Sequence, residues 1–107
     1  MTCTDPKLID VVWQHGRAMP GADPAQWRQD GCGAWMRREQ YGHEDAEFAW
    51  KLEKVSPGGA DSAENLRPFH RRNGYDVANG QSHCAVTADR SNLPAEKYAM
   101  PPRNRPA

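Results

Sequence analysis

Trp50-Lys51-Leu52-Glu53-Lys54-Val55-Ser56-Pro57-Gly58-Gly59-Ala60-Asp61 is followed, three residues later, by Asn65-Leu66-Arg67-Pro68-Phe69-His70. Phe48, Trp50, Leu52 and Lys54 recur at period two, so Phe48 to Val55 is expected to be a strand with those side chains on one face. Ser56-Pro57-Gly58-Gly59 ends it, because Pro and Gly suit turn geometry and not a continued ladder. Pro68 disfavours helix in the residue before it, so Asn65 to Arg67 is expected to be extended. Phe69 to about Asp76 is expected to form a short helix that Asn73-Gly74 closes. The order strand, Gly-rich loop, Asn-Leu, short helix is a ββα unit.

Upstream, Pro6 and Gly16 bracket Lys7 to Gln14 as a short helix, although the apolar run Ile9 to Trp13 also fits a strand. Asp23-Pro24 reads as the cap and first residue of a short helical piece carrying Trp27. Gly31-Cys32-Gly33 breaks it. Ala34 to Tyr41 suits a strand, with Gly42 to Asp45 as the loop before the next. Trp35 and Trp50 are then expected to pack across an antiparallel hairpin, with Trp13 and Trp27 closing over it. Downstream, Pro94, Pro101, Pro102 and Pro106 preclude long regular elements. The expected organisation is a small α+β domain over residues 5–87 and a flexible, disordered Pro- and Arg-containing tail over residues 88–107.

The chain has 107 residues, 14 Lys and Arg against 14 Asp and Glu, and 37% hydrophobic residues. That allows one modest core. Zero net charge excludes a strongly cationic chain but not a local basic patch. Charge is uneven: His43 to Glu64 carries net −4, and Asn65 to Asn73 carries net +3 from Arg67, Arg71 and Arg72. No apolar run is long enough for a membrane span or a secretory signal, so a soluble, cytoplasmic protein with no membrane partner is expected. Cys3, Cys32 and Cys84 make an odd count, so free thiols in a reducing compartment are expected rather than a disulfide framework. His83, Cys84 and Cys32 could bind a metal, but ordinary roles are the expectation.

The central stretch resembles HNH endonucleases of the ββα-metal fold. The pattern there is roughly W-x-x-D-H-x-x-P, G-G-x-D, then N-L-x-P-L-H and a helix. Asp23-Pro24, Trp27-Arg28, Asp30, Cys32-Gly33-Ala34-Trp35 and Tyr41-Gly42 resemble the lead-in of a bacterial subfamily, so the likeness spans about Ile9 to Gly80. It implies metal-assisted phosphodiester hydrolysis, in which a His takes a proton from water and a carboxylate and a helix-end residue hold the cation. Position by position, the carboxylate is Glu53, the base position holds Lys54, and the middle Asn is Asn65. The helix-end ligand falls on Gly74, which has no side chain, with Asn73 one residue earlier as a doubtful substitute. The loop after Pro57 is also about three residues shorter than the family's.

The resemblance therefore implies a degenerate site. Lysines are normally protonated at neutral pH, and a charged Lys54 cannot accept a proton and repels Mg²⁺. It can instead place a positive charge near a phosphate. Any divalent cation, Mg²⁺ or similar, is expected to bind weakly through Glu53 or not at all. His70, His43 and His15 are the substitute bases considered, with non-catalytic roles expected for each. The leading function is an HNH-like protein that binds nucleic acid, DNA in particular, through Arg67, Arg71, Arg72 and Lys54. One alternative is an active divergent metal-dependent endonuclease using Glu53, Asn65, Asn73 and a relocated His. The other is a protein-interaction module, such as a phage or mobile-element accessory protein.

Overall fold

The computed structural model describes residues 5–56, 62–89 and 102–107. It is an α+β protein, mostly β, with one helix and four antiparallel strand pairs among the described residues. Helix α1 spans Pro6–Trp13 and starts as the Asp-Pro pair dictates. The Asp5 carboxylate accepts the Lys7 N–H at 2.9 Å, and Pro6 stands where no helical N–H is needed.

Strands β1 (Trp27–Gln29) and β2 (Trp35–Arg37) form a hairpin. The expected helix at Asp23-Pro24 shrinks to a single turn, closed by Trp27 N–H to Asp23 O at 2.8 Å. Strand β3 (Trp50–Lys54) pairs with β4 (Leu66–His70), Trp50 opposite His70 and Lys54 opposite Leu66. The expected strand–loop–extended arrangement thus forms a paired unit. Trp50, Leu52 and Leu66 share one face. Lys51, Glu53, Arg67 and Phe69 share the other.

The helix expected over 69–76 is a correction. Strand β4 continues through His70, a turn follows, and β5 (Gly74–Asp76) pairs with β6 (Gln81–His83). The amides needed for a helix are taken elsewhere. His70 N–H goes to Asp30 Oδ2, Arg71 N–H to Ala49 O, Arg72 N–H to His70 Nδ1 and Asn73 N–H to His70 O. Each is a tertiary or turn acceptor that competes with the carbonyl four residues back. The β5–β6 hairpin packs Tyr75 against Phe69, ring centroids 6.3 Å apart.

The end of the tail is also corrected. Strand β8 (Asn104–Pro106) pairs with β7 (Val86–Ala88). The Asn104 amide accepts the Trp35 N–H at 2.7 Å and donates to Trp35 O at 3.0 Å, extending β2 by a side chain. The intervening part of the expected tail, 90–101, lies outside the described residues, as do Cys3 and the Pro57–Asp61 loop.

The tryptophans do not stack across one hairpin as expected. Trp50 packs with Trp13 at 5.0 Å and Tyr41 at 4.8 Å, in a core that includes Met36. Trp35 meets Trp27 edge-on at 6.2 Å, and Trp27 meets Phe48 at 4.9 Å, in a second core with Met19 and Ala88. A β2–β3 pairing would have been needed to bring Trp35 onto Trp50, and β2 pairs with β1 instead. The free-thiol expectation is corrected too. Cys32 and Cys84 form a disulfide across a separation of 52 residues. The bridge removes both the thiol argument for a reducing compartment and any metal role for this pair. Among the described residues no helix is long and apolar enough to cross a membrane.

Candidate functional site

Asp30 organises the region around the candidate site. It is 2% exposed. Its Oδ1 accepts the N–H groups of Cys32 and Ala34, each at 2.9 Å, closing the loop that Gly33 turns at φ +81°. Its Oδ2 accepts the His70 N–H and the Asn73 Nδ2, each at 2.9 Å. One buried carboxylate thus joins the β1–β2 loop to the end of β4 and the start of β5.

Asn73 continues this network. Its Nδ2 also donates to Val86 O at 3.1 Å, and its Oδ1 accepts the N–H groups of Ala85 and Val86 at 2.7 and 2.9 Å. A carboxamide offers two donors and two acceptor sites, and all four are spent on protein. The structure therefore places Asn73 in the buried interior, holding β7, with no lone pair left for a cation. His70 is similarly committed. Its Nε2 faces Glu47 O at 2.7 Å and Nδ1 accepts the Arg72 N–H at 3.1 Å, which assigns the Nε2–H tautomer. Burial pushes its pKa below the ordinary histidine value, and the nearby Arg71 and Arg72 charges add to that. The Glu47 carbonyl and Asp30 oppose it.

Glu53 reaches Gly74 across the sheet. Its Oε1 accepts the Tyr75 N–H at 3.1 Å, and its Oε2 lies 3.6 Å from Lys51 Nζ. A Cβ added at Gly74 would stand 3.1 Å from Glu53 Oε1. The carboxylate thus lies beside position 74, and a peptide N–H and an ammonium meet it there. The donor set offers a divalent ion one carboxylate already engaged at both oxygens. Among the described residues no three His, Cys, Asp or Glu side chains gather as a metal-binding group. Lys54 is exposed at the end of β3. Asn65 is buried at 9% exposure, and its peptide joins the strand ends: its N–H donates to Ser62 O and its carbonyl accepts the Val55 N–H, both at 3.0 Å.

The three arginines split. Arg67 Nη1 donates to Glu64 O at 3.0 Å and Leu66 O at 2.7 Å, placing it at the mouth of a cleft with His15 and Arg17. Arg71, anchored by Nε to Ala46 O at 2.9 Å, lines a groove with Arg72 and with Arg105 of β8. Arg72 also lines the shallow groove over Glu53 and Gly74. The sequence reading missed Arg105, because it assigned that residue to the tail. It also gave Asp30 no role, although an Asp heading a Gly-x-Gly turn is a capping signal. Compared with known proteins, the chain matches no family model, no curated protein and no solved structure.

Proposed function

We propose that the chain is a nucleic-acid-binding protein that uses an HNH-like strand pair as scaffold without the nuclease chemistry. The observation that carries this is the position of Arg72. It lines both the groove over Glu53 and the groove shared with Arg71 and Arg105, so a basic edge adjoins the carboxylate that the resemblance assigns to metal. Guanidinium groups suit phosphate oxygens, and such contacts position a backbone without reading bases. The side chains around Glu53 do not fit a resident divalent ion: Lys51 and the Tyr75 N–H hold the carboxylate, position 74 has no side chain, and Asn73 is spent in the interior. His70 has both ring nitrogens committed, to Glu47 O and to the Arg72 N–H, so it is not open to take a proton from water.

Fluorescence anisotropy with a short DNA duplex, over a range of salt, tests this reading. Binding should weaken linearly in log salt. Arg72→Gln with Arg105→Gln should flatten the slope by roughly 1.8, about 0.9 for each lost phosphate contact. Plasmid nicking with Mg²⁺, Mn²⁺, Ni²⁺ or Zn²⁺ should stay at background. Nicking that disappears in Glu53→Ala would establish the active-nuclease reading instead. No binding at low salt would leave the protein-interaction reading.

A further inference from the structure

Another concavity is neither groove. It is a cleft of about 370 Å³ between the turn after α1 and the β4–β5 face, within the size range of small-molecule sites. Val55, Pro68, Phe69 and Tyr75 line it as an apolar, partly aromatic floor. Arg17, Arg67 and His15 stand at its cationic side. Among the described residues its lining sets Arg17 and Arg67 against one acidic residue, Asp30, whose two oxygens already accept four hydrogen bonds, so the lining is net positive.

The polar groups at the cationic side are held open. His15 Nδ1–H donates to Leu66 O at 3.0 Å, which leaves Nε2 as the ring's other nitrogen. Arg67 spends only Nη1 on main-chain carbonyls, and among the described residues its Nε and Nη2 make no hydrogen bond. The Arg17 side chain is exposed and makes no hydrogen bond or ion pair among the described residues. Polar groups also line the inner wall. Ser82 lies there beside Gly31, and Gln29 lines the wall next to Asp30.

We propose that this cleft binds one nucleoside monophosphate unit, with the phosphate against Arg17, Arg67 and His15 and the base against Phe69 and Tyr75. A planar ring with a polar edge matches the aromatic floor and the Ser82 and Gln29 wall. Two guanidiniums match a phosphate dianion. The unit comes either from a free nucleotide or from the end of a single strand. The proposal is independent of the arginine groove, which uses Arg71, Arg72 and Arg105.

The test is a two-dimensional NMR titration of the intact, disulfide-bonded chain with AMP, adenosine, inorganic phosphate and a 5′-phosphorylated dinucleotide. AMP should move the amides of Gly31, Tyr75 and Ser82, with affinity at least tenfold above adenosine or phosphate alone. Arg17→Gln, chosen because that side chain has no hydrogen-bond or ion-pair partner among the described residues, should weaken AMP at least fivefold and leave adenosine unchanged. A dinucleotide binding tenfold tighter than AMP assigns the site to strand ends, and equal or weaker binding assigns it to free nucleotides. AMP no tighter than phosphate overturns the proposal. So do shifts confined to Arg71, Arg72 and Arg105, which would leave the groove reading intact.

Discussion

Asp30→Asn changes one oxygen to an amino group at a site where both oxygens are used. Four N–H donors converge on the carboxylate: Cys32 and Ala34 on one oxygen, His70 and Asn73 on the other. Whichever way the new amide turns, its NH₂ faces two donors. Two hydrogen bonds are lost and two buried N–H groups lose their acceptor. Hydrogen bonds to charged groups contribute about 1.5–3 kcal/mol each, so the loss is about 3–6 kcal/mol. Small domains have total stabilities of about 5–15 kcal/mol. Urea unfolding followed by tryptophan fluorescence, without reductant, reads this directly. With a slope of about 2 kcal/mol/M, the midpoint should fall by about 1.5–3 M. A fall corresponding to less than about 1 kcal/mol would refute the assignment of Asp30 as the centre that joins the β1–β2 loop to β4 and β5.

Reducing the Cys32–Cys84 bridge should cost about 4 kcal/mol by loop-closure entropy, given its 52-residue separation, and an unchanged urea midpoint with dithiothreitol would contradict the bridge. Because burial depresses the pKa of His70, the folded state resists its protonation, so its contribution is complete above the unfolded value of about 6.5 and declines as pH falls below it. His70→Gln should therefore flatten the stability profile between pH 7.5 and 5, and an unaltered acid slope would remove His70 as its source. Asn104→Ala should cost about 1–3 kcal/mol, because two main-chain groups of buried Trp35 lose their partner, and a neutral result would contradict docking of β8. Leu66→Ala should cost about 2–4 kcal/mol, since Leu66 is 5% exposed, and a smaller loss would deny it an anchoring role.

Local rules carried the reading where neighbours in sequence hold the structure. Asp5-Pro6 starts α1, and the period-two pattern about Trp50 gives β3, because capping and alternation depend on residues a few positions apart. Pro68 likewise marks Leu66 and Arg67 as extended, which β4 bears out, whereas Asn65 closes a 3₁₀ turn over Ala63–Asn65.

Phe69 to Asp76 reads locally as a short helix, yet long-range acceptors claim its amides: Asp30 forty residues upstream for His70, and Ala49 for Arg71. A helix of that length is marginal by itself, so a few tertiary hydrogen bonds are enough to override it. Pro-rich spacing near the C-terminus reads as tail, but Asn104 and β8 gain partners on β2 and β7 that no neighbour in sequence supplies. That docking moves Arg105 beside Arg71 and Arg72, while Arg67 is drawn to the mouth of a different cleft. The amino-acid sequence by itself determined α1, β3 and the extended segment at Pro68. Which cysteines meet, which tryptophans pack together and which arginines share a groove were decided only by tertiary structure, because each depends on contacts between residues far apart in the chain.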